Sequence, residues 1–261
     1  MTLTGSTLAE ISPPDNGTML DLDGLDVYRS APPVGTPIKG GLIVIHEIWG
    51  LVAHIKDVAD RFAAQGYVVY APDILSHGGV TPQAGAELER LRESNDPAEQ
   101  HRLQPLMREA LTAARQPEYA AWAVGALQRV VTALAAEPGV AGHIGVIGFC
   151  FGGTFAFALA AADPRIRIAF PFYGSPPEGS LANIACPVRA FYGGQDERLM
   201  ASLPELRDRM AKAGIDFTAQ VYPDAQHAFF NNTNTHAYDA VVAADAWQQV
   251  LEILANQFDN K

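Results

Sequence analysis

Residues 145–153 read GVIGFCFGG. A strand-like apolar run ends in Gly148-Phe149-Cys150-Phe151-Gly152 and passes straight into a segment of helical spacing. A side chain held exposed at such a junction needs a sharp strand-to-helix turn. Glycines on both sides remove the Cβ atoms that would clash within it. The surrounding chain has the matching rhythm. Apolar runs at residues 41–46 (GLIVIH), 67–71 (YVVYA), 143–149 (HIGVIGF), 165–173, 188–193 and 217–222 read as strands. Segments with helical spacing lie at 54–65, 122–136, 154–162 and about 237–257. Continuously apolar strands alternating with helices predict an α/β fold: a mostly parallel sheet with helices on both faces.

Residues 76–119 break the alternation. They hold no clear strand and are mostly charged, Gln or Ala, so they read as a helical insertion, with 87–92 and 102–115 as its helical pieces. Inserted at the strand-end face, such a segment shapes a pocket mouth. No Pro/Ser/Gly linker divides the chain, so 1–261 is read as a single domain carrying that insertion.

Composition narrows the function. The 18 Lys and Arg against 29 Asp and Glu give a net charge of −11, which disfavours phosphate backbones and anionic headgroups. Nucleic acid and membrane are therefore not expected partners. Residues 1–16 are polar, no run reaches the ~18 apolar residues of a membrane span, and the expectation is a cytoplasmic protein. The two cysteines meet no CxxC pattern, and no metal spacing or phosphate-cradling loop is visible, so neither a metal nor a cofactor is expected.

The chemistry-bearing residues fall at strand ends. Cys150 follows one strand. Asp196, in FYGGQDE, follows the next but one, and His227, in PDAQHAFF, follows the last. Nucleophile, acid, histidine is the chain order of an α/β-hydrolase triad, and α/β sheets build their sites at the C-terminal ends of strands. The helix after Cys150 points its N-terminal amides at the site. In IVIHEIWGL (43–51), the backbone N–H of Ile48 pairs with that of Phe151 as an expected oxyanion hole, and Glu47 stands within reach of Cys150. Trp49, Phe229 and Asn231 are candidate pocket residues, and Ser76-His77 another. Cys186 reads as structural, and His54, His101 and His236 as solvent-exposed.

HEIWGL, YAPDIL, GFCFGG, YGGQDE and DAQHAFF, in this order over most of the chain, resemble the dienelactone hydrolase (carboxymethylenebutenolidase) family. The resemblance implies an α/β-hydrolase fold with Cys150 as nucleophile, His227 as base, Asp196 as its orienting acid and Glu47 as the carboxylate beside the resting thiol. Dienelactone-cleaving members carry a carboxylate-binding arginine four positions after the histidine, where this chain has Asn231. They take a second arginine from the region read here as the insertion, for which Arg92, Arg102 and Arg108 are candidates.

Sulfur restricts the substrate. A thiol of pKa ~8.5 leaves a tetrahedral adduct more readily than an alkoxide does, so forward collapse needs an enolate, phenolate or thiolate leaving group. The expected activity is therefore hydrolysis of small lactones or activated esters through an acyl-Cys intermediate. Two alternatives remain open on the sequence: a broad aryl ester or thioester esterase with a neutral substrate, and a non-catalytic thiol-sensing relative.

Overall fold

The apolar runs form one eight-stranded sheet in a computed structural model that describes residues 17–176 and 181–259; the polar stretch 1–16 lies outside them. Its strands are β1 (Thr18–Asp21), β2 (Asp26–Ser30), β3 (Gly40–Ile45), β4 (Tyr67–Pro72), β5 (Ile144–Phe149), β6 (Ile166–Phe172), β7 (Val188–Gly193) and β8 (Phe217–Tyr222). The order across the sheet is β1-β2-β4-β3-β5-β6-β7-β8. From β4 to β8 all pairs are parallel, whereas β1 and β2 form an antiparallel hairpin that extends the sheet beside β4. Strands β3, β4 and β5 are buried at every residue, which is why they read as unbroken apolar runs.

The helices are α1 (Ala53–Ala64), α2 (Ile74–His77), α3 (Pro82–Glu93), α4 (Pro97–Ala110), α5 (Pro117–Ala135), α6 (Phe151–Ala162), α7 (Glu197–Lys212) and α8 (Ala240–Asp259). The chain steps from β3 to β4 in one direction and from β4 to β5 in the other. Right-handed crossovers therefore put α1 and α5 on opposite faces. Phe62 of α1 meets Trp247 of α8 at 4.2 Å between ring centroids, so α8 joins α1, while α6 packs beside α5. The direction of winding reverses between β3 and β5, and their C-terminal ends flank the crevice where such sheets bind ligands.

The insertion consists of α2, α3, α4 and a 3-10 turn at Ala113–Arg115. Helix α3 lies hard against the loop after β3: a Cβ at Gly85 would collide with the Trp49 carbonyl. Among the described residues no helix is long and apolar enough to cross a membrane.

Candidate active site

The turn after β5 is as tight as its glycines demand. Cys150 sits at φ 53°, ψ −110°, a region that costs a non-glycine residue ~1–3 kcal/mol and persists only where surroundings impose it. Its N–H donates to the Phe172 carbonyl at 3.0 Å, tying the turn to β6. A Cβ at Gly148 would strike the Gly152 carbonyl, and one at Gly152 the carbonyls of Ile45 and His46. The half-buried thiol thus stands at the start of α6, above the ends of β3 and β6.

Asp196 and His227 arrive from the ends of β7 and β8. Asp196 caps α7, accepting from Leu199 N at 3.1 Å, and its other oxygen lies 2.5 Å from His227 Nδ1. Burial works against the Asp196 charge, but His227, the Leu199 amide and the Arg198 charge hold its pKa below the usual value. Burial likewise pushes the His227 imidazole down. Hydrogen bonds to Asp196 and Cys150, with the charges of both, outweigh burial and raise it to about 10. Asp196 and His227 thus form a hydrogen-bonded pair that acts on Cys150, with the imidazole protonated near neutral pH.

The sign of this shift gives a measurable consequence. A folded pKa above the ~6.5 of a free imidazole means that the stabilisation is fully present below pH ~6.5 and lost as pH rises through about 10. Asp196→Asn removes the main partner of that charge. The melting temperatures of wild type and Asp196→Asn are expected to differ most at pH 6 and to converge by pH 10.5, as followed by thermal denaturation.

Glu47 is buried, and Asn231 Nδ2 donates to its Oε2 at 2.5 Å. Burial raises its pKa; the Asn231 hydrogen bond and the charges of His227 and Arg92 oppose that rise. Tyr173, at φ 38° just past β6, turns its ring onto His227 at 5.0 Å. Its hydroxyl is deep enough, and near enough to the charges of Glu47 and Cys150, to titrate well above its ordinary value. Neither that hydroxyl nor Glu47 Oε1 has a well-formed hydrogen bond among the described residues. Among the described residues, three of the four non-glycine residues at positive φ (Cys150, Tyr173 and Ala228) belong to this site.

A cavity of about 420 Å³ opens over the thiol, lined by Ile48, Leu111, Arg115, Phe151, Tyr173 and Arg198 among others. Ile48 and Phe151, the expected amide donors, both line it. Among the described residues neither donates to a backbone carbonyl, and at the first position of α6 the Phe151 amide has no partner within its own helix.

The pocket residues read from sequence require correction. Phe229 is wholly buried against Tyr173 and Tyr222. Trp49 is buried with Arg92 over its ring at 4.8 Å, and Asn231 is buried holding Glu47. None of the three lines the cavity over Cys150. Arg92, Arg102 and Arg108 do not line it either; Arg115 and Arg198 do. Ser76 and His77 border a separate cavity of about 190 Å³ with Trp122, on which His77 stacks. His54 is not exposed: it faces inward on α1, paired with Asn232 Oδ1 at 3.0 Å, and burial lowers its pKa to about 4. His101 and His236 are exposed. Cys186 is buried, which raises its thiol to about 11.

Comparison with known proteins agrees with this architecture. Residues 26–258 match the dienelactone hydrolase family. A protein of Saccharolobus solfataricus named "Putative carboxymethylenebutenolidase" is 31% identical over 255 residues, covering 90% of this chain and 95% of that protein. The crystal structure of a "Putative Dienelactone Hydrolase" from Klebsiella pneumoniae superposes with a TM-score of 0.72 at 25% identity, over 94% of this chain and 98% of that one. Esterase 2 of Thermogutta terrifontis shares the fold alone, with a TM-score of 0.60 at 16% identity over 94% of this chain and 95% of that one. The chain belongs to the dienelactone hydrolase family.

Proposed function

We propose that this chain is a carboxylic ester hydrolase that opens small lactones or activated esters through an acyl-Cys150 intermediate. The observation that carries the reading is the Asp196–His227 hydrogen bond set beside Cys150, beneath a cavity of substrate size that Cys150 lines. With His227 protonated, the cysteine has the neighbour that lets it react as a thiolate. Sγ attacks the carbonyl carbon, and the oxygen, now anionic, is met by the amides of Ile48 and Phe151. Collapse breaks the carbon–oxygen bond to the leaving group, which takes the proton from His227. The neutral imidazole then accepts a proton from water as that water attacks the thioester, and loss of the acid restores the thiolate and imidazolium. Asp196 supports the imidazolium in both half-reactions.

The lining of the cavity bears on the substrate. Its apolar wall includes Met107, Leu111 and Phe151, and its cations are Arg115 and Arg198. Neither arginine makes an ion pair among the described residues. In a chain of net charge −11, these two local cations favour a substrate that carries a carboxylate. Cys150 and Cys186 are both free thiols, which fits action in a reducing cytoplasm.

Incubation with an aryl ester should add one acyl group to Cys150, detected by peptide mass spectrometry; turnover without that adduct would count against the mechanism. Across a panel of neutral and carboxylated enol-lactones, Arg115→Ala or Arg198→Ala should raise KM for the carboxylated member by about tenfold, the weight of one charge-assisted hydrogen bond. The neutral lactone should be unaffected. Equal effects on both would remove the carboxylate from the proposed substrate.

A further inference from the structure

The amide of Asn231 is held from both ends. Its Oδ1 accepts from Thr233 N at 2.9 Å and from Thr233 Oγ1 at 2.7 Å, which leaves Nδ2 to face Glu47. The Thr233 hydroxyl also lies 3.1 Å from Oε1 of Glu89, on α3. A hydroxyl carries a single proton, so it cannot donate to Asn231 and to Glu89 at once. Helix α3 grips the same loop twice more: Arg92 donates to the Thr233 carbonyl at 2.9 Å, and Glu93 accepts from Thr235 N at 3.0 Å and from its hydroxyl. The hydrogen-bond path therefore runs from helix α3 of the insertion to the buried carboxylate of the site, through one shared proton.

We propose that Glu89 is a positioning residue for Glu47, acting through Thr233 and Asn231, so that the protonation of an outer carboxyl sets how firmly the inner one is held. An ionised Glu89 claims the Thr233 proton, because a charged acceptor outcompetes an amide oxygen; Asn231 Oδ1 then keeps only the Thr233 amide. A neutral Glu89 donates to Thr233 Oγ1, the Thr233 proton turns to Asn231, and the Asn231–Glu47 bond is reinforced. The charge of Glu89 also opposes that of Glu47 directly. Both effects have one sign: ionising Glu89 disfavours the Glu47 anion.

The groups facing Glu89 are Arg92, with Nη2 4.0 Å from its Oε1, and Glu93 on the same helix, Thr233 from the loop after His227, and the charge of Glu47 from the loop after β3. Burial raises the Glu89 pKa to about 6 despite the pull of Arg92 and Thr233, so the switch falls in an accessible range.

This coupling rests on the hydrolase reading only for the reactivity of Cys150, and its readout requires no turnover. Alkylation of Cys150 by iodoacetamide, followed by peptide mass spectrometry from pH 5 to 8, should show a component with its midpoint near pH 6. Glu89→Gln should remove that component, an effect of about fivefold in rate, the equilibrium weight of one hydrogen bond. Thr233→Val should shrink the component to what the direct charge of Glu89 leaves, and Thr233→Ser, which keeps the hydroxyl, should behave as wild type. A Glu89→Gln profile that superimposes on wild type, or a Thr233→Val profile that retains the component at its full wild-type size, overturns the proposal. Absence of ester hydrolysis with these profiles intact would instead overturn the hydrolase mechanism and leave this coupling standing.

Discussion

Cys150→Ala should hydrolyse p-nitrophenyl acetate at least about a thousandfold more slowly than wild type, while melting as one folded species. The size of the loss follows from the role proposed for the residue: without Sγ no acyl-enzyme forms, and only the cavity and its amides remain to act on bound ester. Nucleophile deletions in comparable triads cost this much or more. Retention of the fold follows from the geometry. Alanine keeps the Cβ, the turn keeps its hydrogen bond to the Phe172 carbonyl, and the removed sulfur borders a cavity rather than the core. A companion variant separates chemistry from strain. Cys150→Gly loses the same activity but relieves the backbone at φ 53°, so it should be more stable than Cys150→Ala by about 1 kcal/mol. Undiminished turnover in either variant would exclude Cys150 as the nucleophile.

The largest effect on stability is expected at Gly148. An added Cβ there meets the carbonyl of Gly152, which is backbone and cannot rotate away. Relief requires β5 and α6 to separate at the centre of the sheet, where both are packed on buried partners. Gly148→Ala should lose about 3 kcal/mol or more in urea unfolding, at the upper end of overpacking costs. Against a typical total of ~5–15 kcal/mol, that is enough to reduce soluble yield. Gly125→Ala is the matched control. It lies inside α5, where an added methyl would meet nothing within 4 Å beyond its own helix, and should be neutral or stabilising by up to about 1 kcal/mol.

The central fold was legible because burial on two faces writes strands β3 to β7 as apolar runs. The hairpin β1–β2 was not read, although its signal stands in the sequence. Asp23 and Gly24 both take positive φ between the mutual hydrogen bonds of Leu22 and Leu25, a two-residue turn that Asp-Gly favours. The strands themselves are short and partly exposed, so periodicity was too weak to mark them. At the site, Cys150, Asp196 and His227 could be singled out because each follows a strand. Tyr173 obeys the same rule at the end of β6 and could have been found by it. Arg115 and Arg198 could not, since their place at the cavity depends on how the insertion and α7 pack. Phe229 and Trp49 failed as pocket candidates for the usual reason: an aromatic beside a functional motif reads the same whether it faces substrate or core.

The contact of Gly85 with the Trp49 carbonyl divides labour within the insertion. Helix α3 is locked to the scaffold at a point where no side chain fits, whereas Met107 of α4, with Leu111 and Arg115 beyond it, faces the cavity. Descendants of this gene could thus remodel α4 and its trailing turn to admit new substrates without loosening the bracket that holds them over the thiol. Innovation would be confined to one helix and heritage to its neighbour.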